Sequence, residues 1–124
     1  VGSEMCIRDR HHIVLIKFKP DTSEADVDRL AAMLDALPET IIEIQTYEFG
    51  RDIARSERSY DFALVSGFAN MEAMQRYQVH PEHQKVVAHI RAISDDIRAV
   101  DFNSSYTPPE KLVDPDPFDG FKMP

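Results

Sequence analysis

One short stretch of the sequence, Tyr77 to His83, brings together the side chains best suited to proton transfer. It reads Tyr-Gln-Val-His-Pro-Glu-His, so a phenol and two imidazoles lie within a few positions of one another. A proline disfavours helical geometry at the residue before it but suits the first position of a new helix. The sequence therefore predicts that one helix ends near Tyr77, that His80 forms the junction, and that a second helix begins at Pro81.

His83 then lies in the first turn of the second helix, where unpaired backbone N–H groups and the positive end of the helix dipole disfavour an imidazolium. A neutral histidine could remove a proton beside a carbonyl while the Tyr77 hydroxyl stabilises the enolate oxygen, with no metal required. The alternative is structural: Tyr77 packs in the core and His80 caps the following helix. On the residues alone the structural role has the stronger support.

Metal binding is a second kind of chemistry to consider, because the chain has five histidines. His80 and His83 straddle the predicted start of a helix, so their spacing does not place both rings on one helical face. No cysteine or Glu-x-x-His pattern completes a ligand set. No fingerprint for a phosphate, flavin or nicotinamide occurs among the four glycines either. We therefore expect neither a metal nor a cofactor.

The composition excludes several classes of function. The 124 residues carry a formal net charge of -8, which argues against a nucleic-acid-binding protein because phosphate contacts need a basic surface. The apolar run Ile13 to Ile16, like every other apolar run in the sequence, is far too short to cross a membrane. A single cysteine allows no disulfide within the chain and fits a reducing compartment. We expect a cytoplasmic, single-domain protein whose partners include neither nucleic acid nor a membrane.

The two ends of the chain differ from the rest. Residues 1–10 are polar, lack periodicity, contain the only cysteine and look like a translated sequencing adaptor, so we expect a non-native or disordered leader. Residues 103–124 contain five of the eight prolines and show no helical or strand period. We expect this proline-rich tail to be irregular, or to pack across its own domain or a partner's. The domain itself is predicted to span residues 11–102.

Apolar periodicity within the domain predicts four strands and two helices, the second of them broken at residues 80–81. The strands are predicted over residues 11–19, 41–49, 60–68 and 97–102. Pro38 is expected to close the first helix. His12 lies on an apolar face of the first strand, where a histidine is more often a hydrogen-bonded core residue than a catalyst.

The order β-α-β-β-α-β predicts an α+β fold, a ferredoxin-like sandwich in which helices cover one face of an antiparallel four-stranded sheet. The predicted strands carry apolar residues on both faces, so the uncovered face would be a large apolar patch. A second copy packing sheet against sheet would bury that patch. We therefore predict a homodimer that forms a dimeric α/β barrel.

With these elements assigned, the chain resembles the stress-responsive A/B barrel family, also called the Dabb or dimeric α/β-barrel family. The resemblance spans residues 11–102. It implies a dimeric barrel of two ferredoxin-like sheets, in which each protomer has a cavity between its sheet and its helices. The matching segments are the opening strand from His12 to Lys19, the turn Gly50-Arg51-Asp52, Tyr60-Asp61 before the third strand, Tyr77-x-x-His80-Pro81-x-His83, and the closing Asp101-Phe102.

One branch of that family, the plant olivetolic acid cyclase, is similar and closes a linear polyketide by an intramolecular aldol condensation. The resemblance carries its tyrosine and histidine onto Tyr77 and His83, and its first-strand histidine onto His12. Another cavity histidine of that enzyme falls at Phe62 here, a departure that argues against the same substrate. The resemblance thus implies Tyr77 and His83 as catalytic residues, with His12, Phe62 and His80 as substrate-binding residues.

We therefore expect a cavity for a small apolar or carbonyl-bearing molecule, and a cofactor-independent cyclase or isomerase reaction. Two alternatives stay open: a non-catalytic, stress-associated dimeric protein, and a cofactor-free monooxygenase of a related dimeric barrel. A cavity that Tyr77 and His83 reach from solvent would favour an enzyme. A cavity filled by Phe62, Phe68 and the methionines would favour the non-catalytic protein.

Overall fold

The structure, a computed structural model, describes residues 9–104 and contains four strands and three helices in the order β-α-β-β-α-α-β. The strands are β1 (Arg10–Phe18), β2 (Thr46–Arg51), β3 (Phe62–Phe68) and β4 (Ser94–Asn103). The helices are α1 (Glu24–Thr40), α2 (Met71–Val79) and α3 (Pro81–Ile93). This arrangement confirms the predicted α+β, ferredoxin-like fold.

The strands form one antiparallel sheet in the order β2-β3-β1-β4, which makes β1 central and β4 an edge strand. Side chains alternate between the two faces of a strand, so the pairing register decides which of them share a face. His12 lies opposite Ser66 of β3 and opposite Asp101 of β4. The register therefore places a carboxylate beside the histidine on the inner face of the sheet.

The helices pack on that inner face and bury the core between sheet and helices. Helix α1 buries Val27, Leu30, Leu34 and Leu37 at helical spacing, and β3 buries its inner face. The outer face is not covered by any element among residues 9–104. Its exposed apolar side chains include Leu15, Val65, Val100 and Phe102.

The break between the second and third helices falls where the sequence predicts it. Helix α2 ends at Val79 and α3 begins at Pro81, with His80 in an extended conformation between them. The His80 Nδ1 atom accepts a hydrogen bond of 3.1 Å from the backbone N–H of Glu82. His80 thus caps α3, the structural role that the sequence left open for it.

Several predicted boundaries differ by two or more residues from the structure. Helix α1 continues through Pro38 to Thr40, because Pro38 lies in the last turn and the N–H of buried Ile41 still bonds the Leu37 carbonyl at 2.8 Å. Strand β2 begins at Thr46, since Ile41 anchors the turn that precedes the strand. The third strand begins two residues later than predicted, and the fourth begins three residues earlier, at Ser94.

The ends of the sheet reach slightly into the segments that the sequence excludes from the domain. Strand β1 begins at Arg10, and the backbone carbonyl of Asp9 accepts a 2.8 Å hydrogen bond from the N–H of Ser104. Strand β4 ends at Asn103. The rest of the predicted leader and tail lies outside the described residues, so the limits of the domain stay a prediction.

Candidate active site

A cavity of about 170 Å³ lies between helix α3 and the inner faces of β1 and β4. Its wall is mostly aliphatic, and it opens beside the edge strand, where the lining residues Ile97 and Ala99 are exposed. Neither Phe62, Phe68 nor any methionine lines it. The side chains that can form hydrogen bonds in its lining are His12, Tyr77, His83 and Arg91.

Tyr77 lies at the centre of this arrangement and is completely buried. It belongs to the buried face of α2, together with Ala73 and Met74. Its ring packs between Phe68 and His83, at centroid distances of 4.8 and 4.1 Å. Because the ring is fully buried and in contact with both neighbours, the position of the hydroxyl is set by the core.

The hydroxyl of Tyr77 lies 2.7 Å from the hydroxyl of Tyr47, which comes from the inner face of β2. Burial raises the pKa of Tyr47 to about 12. Burial, together with Tyr47, raises the pKa of Tyr77 further. Both phenols therefore keep their protons at neutral pH. When Tyr47 donates to the Tyr77 oxygen, the Tyr77 proton is free to be donated to an oxygen atom in the cavity.

The break between α2 and α3 also determines the state of His83. Gln78 is in the last turn of α2, where backbone carbonyls have no partner within the helix. Its carbonyl lies 3.2 Å from His83 Nδ1. A carbonyl can only accept, so Nδ1 carries the proton and Nε2 has the lone pair when the ring is neutral.

The pKa of His83 favours that neutral form. Burial lowers the pKa below its ordinary value of 6.5, and positive charge on His12 or His80 would lower it further. The hydrogen bond to Gln78 acts in the opposite direction but does not outweigh burial. His83 is thus an uncharged imidazole at pH 7 with one nitrogen able to accept a proton.

His12 supplies a second imidazole to the same cavity. It is buried, and its ring centroid lies 6.4 Å from that of Tyr77. Its Nδ1 donates a hydrogen bond to the Oδ1 atom of Asp101, the residue opposite it in the β1–β4 register. The carboxylate fixes the tautomer and orientation of the ring and would stabilise a positive charge on it.

The structure brings Tyr77, His83 and His12 together, but it does not bring Phe62 or His80 to the cavity. Phe62 pairs with Ile16, four residues along β1 from His12, which corresponds to about 13 Å of strand. Phe62 instead packs with Phe18 and Phe49 in the core. Neither residue is among those that line this cavity, and a substrate-binding role for Phe62 and His80 stays a prediction.

Three residues of the site have no role that is predicted from the sequence: Tyr47, Asp101 and Arg91. Tyr47 alternates onto the inner face of β2, but its partner is thirty positions away. In the sequence, Asp101 stands out only as part of the closing Asp101-Phe102 motif. Its contact with His12 depends on the pairing register of β1 and β4. Arg91 occupies the last turn of α3, where cations are common because they interact favourably with the helix dipole. Only strand pairing and helix packing reveal these contacts.

Metal-binding side-chain groups and membrane-spanning helices can both be checked in the described part of the chain. Among residues 9–104, no group of three or more histidine, cysteine, aspartate or glutamate side chains is placed to hold a metal ion. In the same part of the chain, no helix is long and apolar enough to cross a membrane.

Helices on one face of the sheet and an apolar surface on the other define a ferredoxin-like α+β domain with an internal cavity. The family profile described as "Stress responsive A/B Barrel Domain" (Dabb) matches residues 11–104, and the chain belongs to this family. This confirms the family resemblance found in the sequence. The narrower similarity to olivetolic acid cyclase stays a prediction.

Individual relatives agree with this assignment. The chain is 27% identical over 109 residues to the stress-response A/B barrel domain-containing protein DABB1 of Arabidopsis thaliana; the match covers 84% of this chain and 50% of that protein. The chain therefore spans half the length of this curated relative.

Two solved structures resemble the fold closely. A dimeric ferredoxin-like protein of unknown function from Thermobifida fusca superposes with a TM-score of 0.72 at 30% identity, covering 77% of this chain and 91% of that one. The hydroxynitrile lyase of Passiflora edulis superposes with a TM-score of 0.74, covering 84% of this chain and all of that one. At 17% identity, the latter shows a shared fold alone.

Proposed function

We propose that this protein is a cofactor-independent enzyme of the cyclase or isomerase kind, which removes a proton from the carbon beside a carbonyl group of a small compound. His83 is the base, Tyr77 is the hydrogen-bond donor to the carbonyl oxygen, and His12 is a second cavity residue that contacts the substrate. One observation carries the proposal. A neutral histidine, with Nδ1 bound to the Gln78 carbonyl, lies against a buried phenol on the wall of an open cavity.

The proposed step needs only these side chains and the substrate. His83 Nε2 takes the proton from the carbon beside the carbonyl, and the electron pair of that C–H bond becomes the enolate. The Tyr77 hydroxyl stabilises the enolate oxygen. In ring closure the enolate carbon attacks a second carbonyl of the same molecule, and the His83 imidazolium returns its proton to the alkoxide oxygen that forms there. In isomerisation the imidazolium returns the proton to a different carbon of the extended enolate instead. No metal or cofactor takes part in either course.

The cavity supports this proposal over a purely structural protein. Its lining includes Tyr77 and His83 and leaves out Phe62, Phe68 and the methionines, so the space is not filled by the side chains that would have closed it. The related fold of the Passiflora enzyme, described as a hydroxynitrile lyase, indicates that such a domain can carry chemistry.

A non-catalytic role is the second candidate, and one observation favours it. The Tyr77 hydroxyl already has a partner in Tyr47, so the fold explains its presence without a substrate. In that case the cavity would bind a ligand without converting it. The monooxygenase alternative has no supporting contact among the described residues.

We also propose that two copies pack through their sheets. The outer face exposes Leu15, Val65, Val100 and Phe102, whose burial would be favourable at roughly 25 cal/mol per Å² of apolar area. The Thermobifida relative is described as dimeric, which supports the same assembly here. The cytoplasmic location expected from the low cysteine content stays a prediction.

Proton exchange in heavy water tests the activity without knowledge of the natural substrate. Small apolar carbonyl compounds, such as 4-phenyl-2-butanone and phenylpyruvate, would be incubated in D₂O with the protein. Proton NMR then follows loss of the signal of the hydrogens beside the carbonyl. We expect exchange faster than in buffer, a loss of about a hundredfold in His83→Gln, and a smaller loss in Tyr77→Phe.

His89→Gln is the matched control, because His89 lies on the same helix and bonds the Asp26 carbonyl outside the cavity. This variant should exchange protons as the unchanged protein does. Exchange by the unchanged protein no faster than in buffer for every compound would support ligand binding without turnover. Equal rates in His83→Gln and the unchanged protein would remove His83 from the mechanism.

A further inference from the structure

We propose that Arg91 makes the cavity selective for small carboxylates, with an apolar group among the aliphatic side chains and the carboxylate on the guanidinium at the opening. The inference rests on the proposed function, because it names the substrate class of the same cavity. Combined with the Tyr77–His83 pair, it points to a small, apolar oxo acid. In such a molecule the carbonyl and the carboxylate are recognised by different residues.

The surroundings of Arg91 carry the first part of the inference. Arg91 lines the cavity and is exposed, so its side chain is available to a ligand that enters from solvent. Among residues 9–104 its guanidinium has no hydrogen-bond or ion-pair partner. Several other arginines do: Arg51 contacts Glu24 at 2.7 Å, Arg76 contacts Glu43 at 2.9 Å, and Arg98 contacts Asp96 at 3.0 Å.

The position of Arg91 contrasts with the net negative charge of the chain. The chain has 22 acidic and 14 basic residues, so carboxylates outnumber cations. The net negative charge of the chain repels anionic ligands from most of its surface, and a cation beside the apolar cavity is an exception to this. It therefore provides a local site at which an anionic ligand is attracted.

The helix dipole offers a simpler explanation for a cation at this position. Arg91 is in the last turn of α3, where a positive charge stabilises the helix by a few tenths of a kcal/mol. A cation on any face of the last turn would give this stabilisation. It does not account for placement on the wall of the cavity, next to Ile90, whose side chain is buried there.

The shape and chemistry of the cavity indicate the size of the ligand. A cavity of about 150 Å³ lined by apolar side chains accommodates benzene. The space here, about 170 Å³, therefore suits a phenyl ring or a short alkyl chain. The planar guanidinium of an arginine matches a carboxylate through two parallel hydrogen bonds.

Calorimetry with matched pairs of ligands tests the inference on the full chain. Phenylacetate is compared with phenylacetamide, and hexanoate with hexanamide, at pH 7.5 and low salt. Within each pair the apolar body is the same and only the charge differs. We expect the carboxylates to bind about tenfold more tightly than the amides.

Three variants assign that preference to a residue. Arg91→Gln should remove the preference for carboxylates and leave the affinity for the amides unchanged. Arg91→Lys should keep part of it, because the charge remains but the paired hydrogen bonds are lost. Arg29→Gln, which removes an exposed arginine from α1, should bind all four compounds as the unchanged protein does.

The results separate this inference from the proposed function. The inference is overturned if Arg91→Gln still prefers carboxylates. It is also overturned if the unchanged protein prefers neither carboxylate, or binds none of the four compounds. Both conclusions hold whatever the exchange assay shows. Proton exchange without charge selectivity would leave the proposed function and reject the role of Arg91. Selective binding that depends on Arg91, without proton exchange, would support the role of Arg91 and reject the proposed function. Thermal unfolding of each variant checks that the fold is intact.

Discussion

The imidazole of His83 lies against the phenol ring of Tyr77, with ring centroids 4.1 Å apart and ring planes inclined by 38°. The two residues belong to different helices, and the break between those helices, at His80 and Pro81, places both at one cavity. At the same break the Gln78 carbonyl, which also accepts from the Gln84 side-chain amide, can accept the Nδ1 proton of His83. One local feature of the sequence thus positions the pair and selects the tautomer of the histidine.

Removing the Tyr77 hydroxyl should measure the strength of the tyrosine pair. In Tyr77→Phe, the partly buried hydroxyl of Tyr47 loses its partner, so we expect the free energy of unfolding to fall by about 1–2 kcal/mol. Urea denaturation gives that value. Tyr47→Phe should cost a similar amount, and the double variant should cost less than the sum of the two. Additive costs would show that the two hydroxyls do not interact.

Asp101 should act as a positioning residue for His12. Asp101→Asn removes the carboxylate that accepts from Nδ1, so we expect proton exchange to slow about tenfold and its pH dependence to shift. Asp95→Asn is the control, because Asp95 is an exposed carboxylate on the same strand with no hydrogen bond among the described residues. An unchanged rate and pH profile in Asp101→Asn would mean that this carboxylate has no influence on the site.

The fold and the helix break follow from local rules that the sequence displays. Pro81 ends one helix and begins another for steric reasons that do not depend on the rest of the chain. Alternation along β1 correctly assigns His12, Val14 and Ile16 to one face. These features are encoded within a few residues, so a single sequence is enough to predict them.

The remaining contacts of the site depend on residues far apart in the chain. The hydrogen bond between His12 and Asp101 spans 89 positions and exists only because β4 pairs with β1 in a particular register. A shift of one residue would turn Asp101 to the outer face. The family resemblance likewise does not determine how far Phe62 lies from the cavity, because that distance depends on the pairing of β3 with β1.

The apolar outer face of the sheet should be the dimer interface. Val100→Asp introduces a charge on that face, which would have to be desolvated on association. We expect the unchanged protein to sediment as a dimer at micromolar concentration and Val100→Asp to sediment as a monomer. Ile53→Asp, in the exposed loop before β3, should remain dimeric. A monomeric unchanged protein would contradict the proposed assembly.

The buried position of His83 should make stability depend on pH. Because its pKa is lower in the folded chain than the ordinary value of 6.5, the folded state resists protonation more than the unfolded state does. The free energy of unfolding should therefore decrease as the pH falls below about 6.5 toward the folded pKa. Urea denaturation at pH 8, 6 and 5 should show a smaller decrease in His83→Gln. Parallel decreases in both proteins would assign the effect to other groups.

The central claim is that His83 is a neutral base with its proton on Nδ1, and NMR of the imidazole nitrogens tests this most directly. In protein labelled with ¹⁵N, long-range proton–nitrogen correlations distinguish protonated from unprotonated ring nitrogens, and His83→Gln assigns the signals. At pH 7 we predict a protonated Nδ1 and an unprotonated Nε2, with titration only below pH 6.5. An imidazolium at pH 7, or a proton on Nε2 instead of Nδ1, would contradict the account.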